Sequence, residues 1–495
     1  MTETPAGLEH RSAKDGGGPD GSGLNVNLQI VAVGLGALAA ALAQTLIIPV
    51  LPTLTADLHT STGNAQWLLT ATLLVAAVSV PVLGRFADMF GRRLVLLVSL
   101  GGLAVGSVID ALTSDFGVML VGRAVAGLSA ASIPLGISLL AIVLPAERRG
   151  SATALTSAML GIGSALGLPL AGLIGDNADY HVLYWIGAGG AVVSGVLIAV
   201  LVAEPPSARE RSIDWAGIAL LAVGLTCLIL GISQGSSWGW GSGRILGLFA
   251  VAVVALAALT RVERRVTNPL IDMSALARPP IALTNIAGMF VGFALFASFT
   301  GTSSYVQAPE ATGYGFGSTI LTAGLCLLPS GLLMLVLAPI AARFIGSWGP
   351  ARVLALGGAV IAAGLVFRIV AVDSLWEVVV GTSVVGAGTG VGYAALPSLI
   401  NHHTPAVQLA AANGINALAR SLGSSLASAV GGALLTAITM NVGGHELPSL
   451  GAYRVLFAVC AGAALLASAV GLTISAGVLT REPDGSGGAE PAPEA

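Results

Sequence analysis

Long apolar stretches separated by short polar gaps run the length of this chain, and the repeating unit is the stretch itself, not one face of a helix or one side of a strand. Fourteen stretches stand out: 28–52, 66–84, 94–113, 116–144, 151–175, 182–203, 214–234, 245–260, 281–304, 318–342, 353–372, 376–400, 407–439 and 453–479. Crossing ~30 Å of hydrocarbon takes roughly 20 such residues. Lipid offers no partner for a free N–H or C=O, so each stretch is predicted to be a helix. The expected fold class is an all-α membrane protein of fourteen spans.

Charge then orients the stack. The chain holds 21 Lys plus Arg. Most lie in the tails and in every second gap: Arg11, Lys14, Arg85, Arg92, Arg93, Arg148, Arg149, Arg209, Arg211, Arg261, Arg264, Arg265, Arg278, Arg343, Arg352 and Arg481. Arg123 and Arg420 fall inside stretches, and Arg244, Arg368 and Arg454 at the opposite ends. By the positive-inside rule both termini are expected in the cytoplasm of a cell with a plasma membrane, and an even number of crossings requires the same. Trp67, Trp185, Trp238, Trp240 and Trp376 cluster at the outer ends, with Trp215 and Trp348 inside, as interfacial anchors do.

Composition narrows the function. Hydrophobic residues are 55% and charged residues 9% of 495, which excludes an ordinary water-soluble domain. A net charge of −3 with no basic run gives no footing for nucleic acid. Cys227, Cys326 and Cys460 all lie in stretches and lack metal or redox spacing. The six His (10, 59, 181, 402, 403, 445) fall in tails, gaps or stretch ends, so neither a metal site, a cofactor nor an enzyme is expected. Residues 1–26 and 481–495 read as disordered cytoplasmic tails. The first tail lacks a cationic region with a cleavage site, so 28–52 is expected to be a retained helix.

An internal repeat organises the spans. Residues 138–172 align without gaps on 398–432, with nine of 35 positions identical, among them Pro145/Pro405, Gly163/Gly423 and Gly172/Gly432. The fifth span therefore corresponds to the thirteenth. A plain six-plus-six repeat would match the fifth to the eleventh, so two extra spans sit between the halves. The expected units are an N-terminal six-helix bundle (27–203), a linker with two extra helices (204–262), a cytoplasmic connection (263–280) and a C-terminal six-helix bundle (281–480). The connection is either an interfacial segment or a solvated linker.

Several strings are specific. GRFADMFGRR at 84–93 places Gly84 and Gly91 for tight turns, Asp88 as a surface carboxylate, and Arg85, Arg92 and Arg93 around it. Such a carboxylate accepts from a helix N-terminus and pairs with arginine, holding one packing of the halves and releasing another. With QWLLTATLL (66–74), LVGRAVAGLSAA (120–131), GIGSALGLPLAG (161–172), DWAGIALLAVGL (214–225), NPLIDMSAL (268–276), YVQAP (305–309) and AGLCLLPSGL (323–332), the chain resembles the major facilitator superfamily. It is similar above all to that family's fourteen-helix drug:proton antiporter branch. The resemblance implies a multidrug-type secondary transporter that works by alternating access, most simply as a monomer. It would export a hydrophobic or amphipathic small molecule, with a proton gradient in place of a cofactor; the alternatives are a proton-independent or uptake carrier of the same fold, or a non-transporting membrane sensor or accessory protein. It also implies a conformational role for the 84–93 loop, a functional role for Arg123, and an antiporter-type fifth helix carried by Gly163, Gly167, Pro169 and Gly172.

Span 1 departs from that pattern. LAQTLIIPVLP (42–52) has Ala43 where the branch usually has aspartate. Proton coupling needs a titratable group in low dielectric, and Asp110, about one turn from the outer end of span 3, comes nearest. It either pairs with Arg123 or is an outer-surface residue. Remaining polar groups in the spans are Gln44, Thr45, Gln307, Asn413, Asn416 and Arg420. The last three recur at helical spacing and share a face, which either lines a cavity suited to neutral or anionic cargo or bonds to neighbouring helices.

Overall fold

The computed structural model describes residues 19–47, 50, 54, 57–60, 62–177, 179–205, 214–266, 273–371 and 373–479. The long helices are α1 (Pro19–Thr45), α2 (Thr62–Phe90), α3 (Arg92–Leu112), α4 (Phe116–Val143), α5 (Ala146–Asn177), α6 (His181–Leu201) and α7 (Trp215–Trp238). They continue as α8 (Gly243–Glu263), α9 (Pro279–Gln307), α10 (Ile320–Trp348), α11 (Pro350–Val370), α12 (Leu375–His402), α13 (Leu409–Ala437) and α14 (Leu450–Leu479). Within α4 the segment Gly127–Ala131 tightens to a 3₁₀ turn.

The polar gaps supply the helix starts. Asp115 accepts from the Val118 N–H at 2.9 Å, Asp214 from Gly217 at 2.8 Å, Ser242 from Ile245 at 3.3 Å and Thr319 from Thr322 at 3.2 Å. Each side chain satisfies one of the donors that a helix N-terminus leaves open.

Thirteen of the helices are long and apolar enough to cross a membrane. α13, matching the predicted stretch 407–439, is not one of them. Asn413, Asn416, Arg420 and a run of serines make it too polar, although it is 29 residues long. The expectation of a purely helical chain needs a second correction. Thr439–Val442 and His445–Pro448 form an antiparallel hairpin after α13, joined at Gly443 and Gly444 with φ of 61° and 89°. A two-residue turn with both φ positive matches strand twist, and glycine adopts it freely. α1 begins at Pro19, ahead of the predicted 28, so residues 19–26 of the expected disordered tail are helical. Residues 1–18 and 481–495 of the expected tails lie outside the described residues. In the expected connection, Met273–Leu276 form one helical turn whose Met273 and Leu276 pack beside α7, and 267–272 lie outside the described residues.

Small residues set how closely the helices approach. α1 packs on α5 and α6, and α3 on α4 and α6. In the second half of the chain α9 packs on α13 and α14, and α11 on α12 and α14. The internal repeat is visible in these contacts. Gly163 of α5 lies against Ala41 of α1, and its repeat partner Gly423 of α13 lies against Met289 of α9. α3 and α11 are both 21 residues long, and each follows a glycine of positive φ, Gly91 at 118° and Gly349 at 82°. α5 meets α10, α2 meets α13, and the α7–α8 pair leans on that second seam through Leu221, Leu225 and Ile229 against Ala77 and Leu418.

A Cβ on Gly163 would stand 2.4 Å from the Ala41 Cβ, whereas one on Gly432 meets nothing within 4 Å. Gly163→Ala is expected to lower stability by about 1–3 kcal/mol through overpacking. Gly432→Ala is expected to leave the thermal unfolding midpoint of the detergent-solubilised protein unchanged or slightly raised.

Candidate functional site

Three buried polar clusters carry the chemistry. The first joins the turn after α2 to the start of α13. Gly84 lets the helices touch, because a Cβ there would sit 3.0 Å from the Ala410 carbonyl oxygen. One turn on, Asp88 is 3% exposed and accepts from the Arg92 guanidinium at 2.7 Å and from the Ala411 N–H at 3.2 Å. Arg92 donates onward to the Ala406 carbonyl at 2.6 Å. The carboxylate thus sits at the N-terminus of α13, where unpaired N–H groups and the helix dipole favour negative charge. Gly91 and Arg93 serve a different contact. Glu204, after α6, accepts from the Arg93 and Leu94 N–H groups at 3.1 and 2.8 Å. A Cβ on Gly91 would collide with that carboxylate, and the Arg93 side chain donates to the Ala199 carbonyl. Arg85 is half-buried beside this turn. Glu204 was not found from the sequence, since it lies 111 positions from Arg93.

The second cluster lies at the opposite end of the first six helices. Asp110 is fully buried, not a surface residue, and neither carboxylate oxygen has a hydrogen-bond partner among the described residues. Gly122 makes the space, because a Cβ there would lie 2.1 Å from an Asp110 oxygen. Arg123 is buried within electrostatic reach but forms no ion pair with it; both terminal nitrogens donate to the Ala43 carbonyl at 3.3 and 3.2 Å. So the residue that replaces the span 1 aspartate still contacts this arginine, through its backbone. Arg123, Ala43, Ser107 and Tyr184 line a cavity of about 10 Å³, room for about one water molecule.

The third cluster is the stripe on α13. Asn413 donates to Asn401 of α12 at 2.6 Å, and Asn416 to Asn285 of α9 at 3.1 Å. Arg420 donates to Asn416 at 2.7 Å and stands 5.1 Å over the Tyr393 ring. All three are buried, and Gly288 and Gly292 of α9 clear space for Asn416 and Arg420. Asn413 and Asn416 thus make interhelical bonds, whereas Arg420 bonds within α13 and meets a ring of α12. Asn285, Asn401 and Tyr393 were all missed from the sequence; of these Asn285, a polar residue in an apolar run, could have been found.

The other residues expected to line a cavity are spread apart. Thr45 donates to the Gly163 carbonyl of α5 at 3.3 Å, in space left by Gly167, so it belongs to the α1–α5 contact. Gln44 is half-buried on α1, and Gln307 bonds one turn back to Ser303 at 2.9 and 3.0 Å. Pro169 and Gly172 face α10, at Gly324 and Leu321 respectively, so α5 is held between α1 and α10. Arg368, expected at a helix end, is 1% exposed and lies between the rings of Tyr305 and Phe457 at 5.2 and 5.1 Å. Such cation–π contacts, each worth up to about 2 kcal/mol when desolvated, offset part of its burial cost.

This set of helices and seams belongs with known carriers. The family profile described as Major Facilitator Superfamily matches residues 33–367 and 289–495, and the chain belongs to that family. It is 28% identical over 415 residues to the tetracenomycin C resistance and export protein of Streptomyces glaucescens, covering 82% of this chain and 75% of that protein. It is 30% identical over 426 residues to an uncharacterised MFS-type transporter of Mycobacterium tuberculosis, covering 84% of this chain but only 61% of that protein. The crystal structure of the human organic anion transporter MFSD10 (TETRAN) has a similar fold, with a TM-score of 0.63 at 17% identity over 90% of this chain and 99% of that one. The similarities are to transporters throughout, in accord with a carrier and not an enzyme.

The two buried acids differ in a way that mutation exposes. Asp88→Asn breaks a buried, partnered charge and is expected to cost about 3–5 kcal/mol, because Arg92 is left uncompensated. Asp110→Asn removes a carboxylate that has no hydrogen bond to lose, and is expected to leave stability unchanged or raised. Thermal unfolding of the two purified variants against the wild type checks the contrast.

Proposed function

We propose that this protein exports hydrophobic or amphipathic small molecules across the plasma membrane by alternating access, driven by proton influx. In this reading the chain crosses the bilayer fourteen times as two six-helix bundles with α7 and α8 between them, both termini are cytoplasmic, and a monomer suffices. The Asp88 cluster then lies at the cytoplasmic face and the Asp110 cluster toward the outside. The relation to a resistance and export protein supports the outward direction.

The observation that carries the proton coupling is the contact between Arg123 and the Ala43 carbonyl beside an unpartnered Asp110. The acid is absent from α1, yet a buried carboxylate faces the same arginine from α3. Protonation changes the net charge beside Arg123, which biases how α1, α3 and α4 pack. At the cytoplasmic face, the Ala411 N–H donates to Asp88 and Arg92 donates to the Ala406 carbonyl across the α2–α13 seam. Opening that seam requires both bonds to part together, which makes it a two-state element.

Purified protein in vesicles, tested with fluorescent amphipathic dyes of positive, neutral and negative charge, checks the reading. Dye flux is expected to collapse when an ionophore dissipates the proton gradient. Asp110→Asn is expected to lose the gradient dependence, with a drop of roughly ten-fold in driven flux. Driven flux that survives in Asp110→Asn would assign the coupling elsewhere, and dye binding without flux would make the protein a sensor.

A further inference from the structure

Asp110 has a counterpart in the second half of the chain, and the counterpart carries the opposite charge. α3 and α11 are equal in length, and Asp110 and Arg368 stand at the same position from the start of each. The packing around them repeats as well. A Cβ on Gly106 of α3 would lie 2.5 Å from the Gly122 carbonyl oxygen of α4, and one on Gly364 of α11 would lie 3.0 Å from the Gly381 carbonyl oxygen of α12. Gly122 makes room for the Asp110 carboxylate. Gly381 makes room for the stem of Arg368, whose Cδ would be 2.3 Å from a Cβ there.

Arginine keeps its charge at every pH a cell meets, so a buried guanidinium calls for an anion or a set of acceptors. The rings of Tyr305 and Phe457 attract the charge of Arg368 but accept none of its N–H bonds in the way an oxygen does. Nε, Nη1 and Nη2 are all buried and all lack a hydrogen-bond partner among the described residues. Glu377 of α12 is the carboxylate within electrostatic reach. It is already engaged, because its Oε2 accepts from the Asp373 and Ser374 N–H groups at 2.8 and 3.2 Å and so caps α12. Asp373 itself is exposed. A buried fork of donors is thus left without an acid to fill it.

We propose that Arg368 is an anion-binding site, which takes a singly charged carboxylate or halide among α9, α11, α12 and α14. The parallel N–H groups of a guanidinium match the two oxygens of a carboxylate, and a halide takes the same fork. The surroundings suit an aromatic acid. Tyr305 stacks on Tyr314 at 5.4 Å and meets Tyr453 edge-on at 5.3 Å. Aromatic surface therefore continues from Arg368 to the hairpin, where the Tyr314 hydroxyl donates to the Pro448 carbonyl at 2.5 Å. Thr302 lies one turn before Tyr305 on the same side of α9. It is fully buried, and its hydroxyl has no partner among the described residues, so it offers a second donor. That the anion is part of a transported molecule rests on the export reading above, whereas anion binding at Arg368 does not.

The test measures equilibrium binding of radiolabelled chloride and radiolabelled benzoate to the purified full chain, in a buffer whose other anions are bulky sulfonates. Saturable binding is expected, and Arg368→Gln is expected to weaken it roughly a hundred-fold through loss of two charge-assisted hydrogen bonds. Arg368→Lys keeps the charge without the fork and is expected to weaken benzoate by about ten-fold. Competition separates the sources. Benzoate that excess chloride barely displaces assigns the site to an organic acid, and chloride that benzoate barely displaces assigns it to the free halide. Neither ion binding saturably, or binding unchanged in Arg368→Gln, overturns the proposal. Wild-type crystals grown with bromide or para-bromobenzoate, matching whichever ion binds, are expected to show anomalous signal beside the Arg368 guanidinium; signal only elsewhere overturns it without recourse to a variant. In vesicles, Arg368→Gln is expected to slow the negative dye and spare the neutral one, and an equal fall in both overturns the link to cargo. A wild type that moves no dye defeats the transport reading but leaves anion binding measurable.

Discussion

A charge inside a bilayer survives only where the protein supplies what water would have supplied, and this constraint orders the rest of the structure. Where partners exist, the charge acts as a fastener. Asp88 has a guanidinium and a helix N-terminus, and Arg420 has an amide and an aromatic face. At Asp110 the described residues supply no hydrogen bond, so the buried carboxylate fastens nothing. One chain thus holds buried acids of opposite character, one bonded across a seam and one without a hydrogen bond among the described residues. They stand at opposite ends of α3.

Glycine is what makes both possible. Gly84 admits the backbone of α13 close enough for Asp88 to reach Ala411, and Gly122 opens the space that the Asp110 carboxylate occupies. The same device lets Gly163 and Gly167 bring α1 against α5, with Thr45 bonding across. Where side chains are small, dispersion and short interhelical bonds replace a hydrophobic drive that is absent in lipid. A carrier built this way has seams that either fit closely or separate, with little between.

Much of this was legible in the residues, and the limits have a physical cause. Apolar length marks the helices, because lipid leaves the backbone no other choice. α13 is less apolar than the others because it carries a polar stripe, and Asn285 and Asn401 supply partners for that stripe inside the protein. Spacing along one helix showed that the stripe shares a face but not what that face meets. Asp88 announced a helix N-terminus, yet its partner Ala411 lies 323 positions away and no local pattern names it. Depth along α3 left Asp110 open between surface and pair, since rotation about the helix axis decides burial. The hairpin after α13 was signalled by Gly443 and Gly444, but the apolar run before them extended the predicted helix past its end.

The central claim is that the α2–α13 seam opens and closes during transport. Spin labels on Phe90→Cys and Gln408→Cys, in a chain whose three native cysteines are replaced, place one probe on each side of it. Pulsed electron resonance in lipid nanodiscs is predicted to show a short distance at rest and a second, longer population when a transported dye is added, with Asp88→Asn enlarging the longer one. A single distance, unmoved by dye, by pH or by that substitution, would contradict the account.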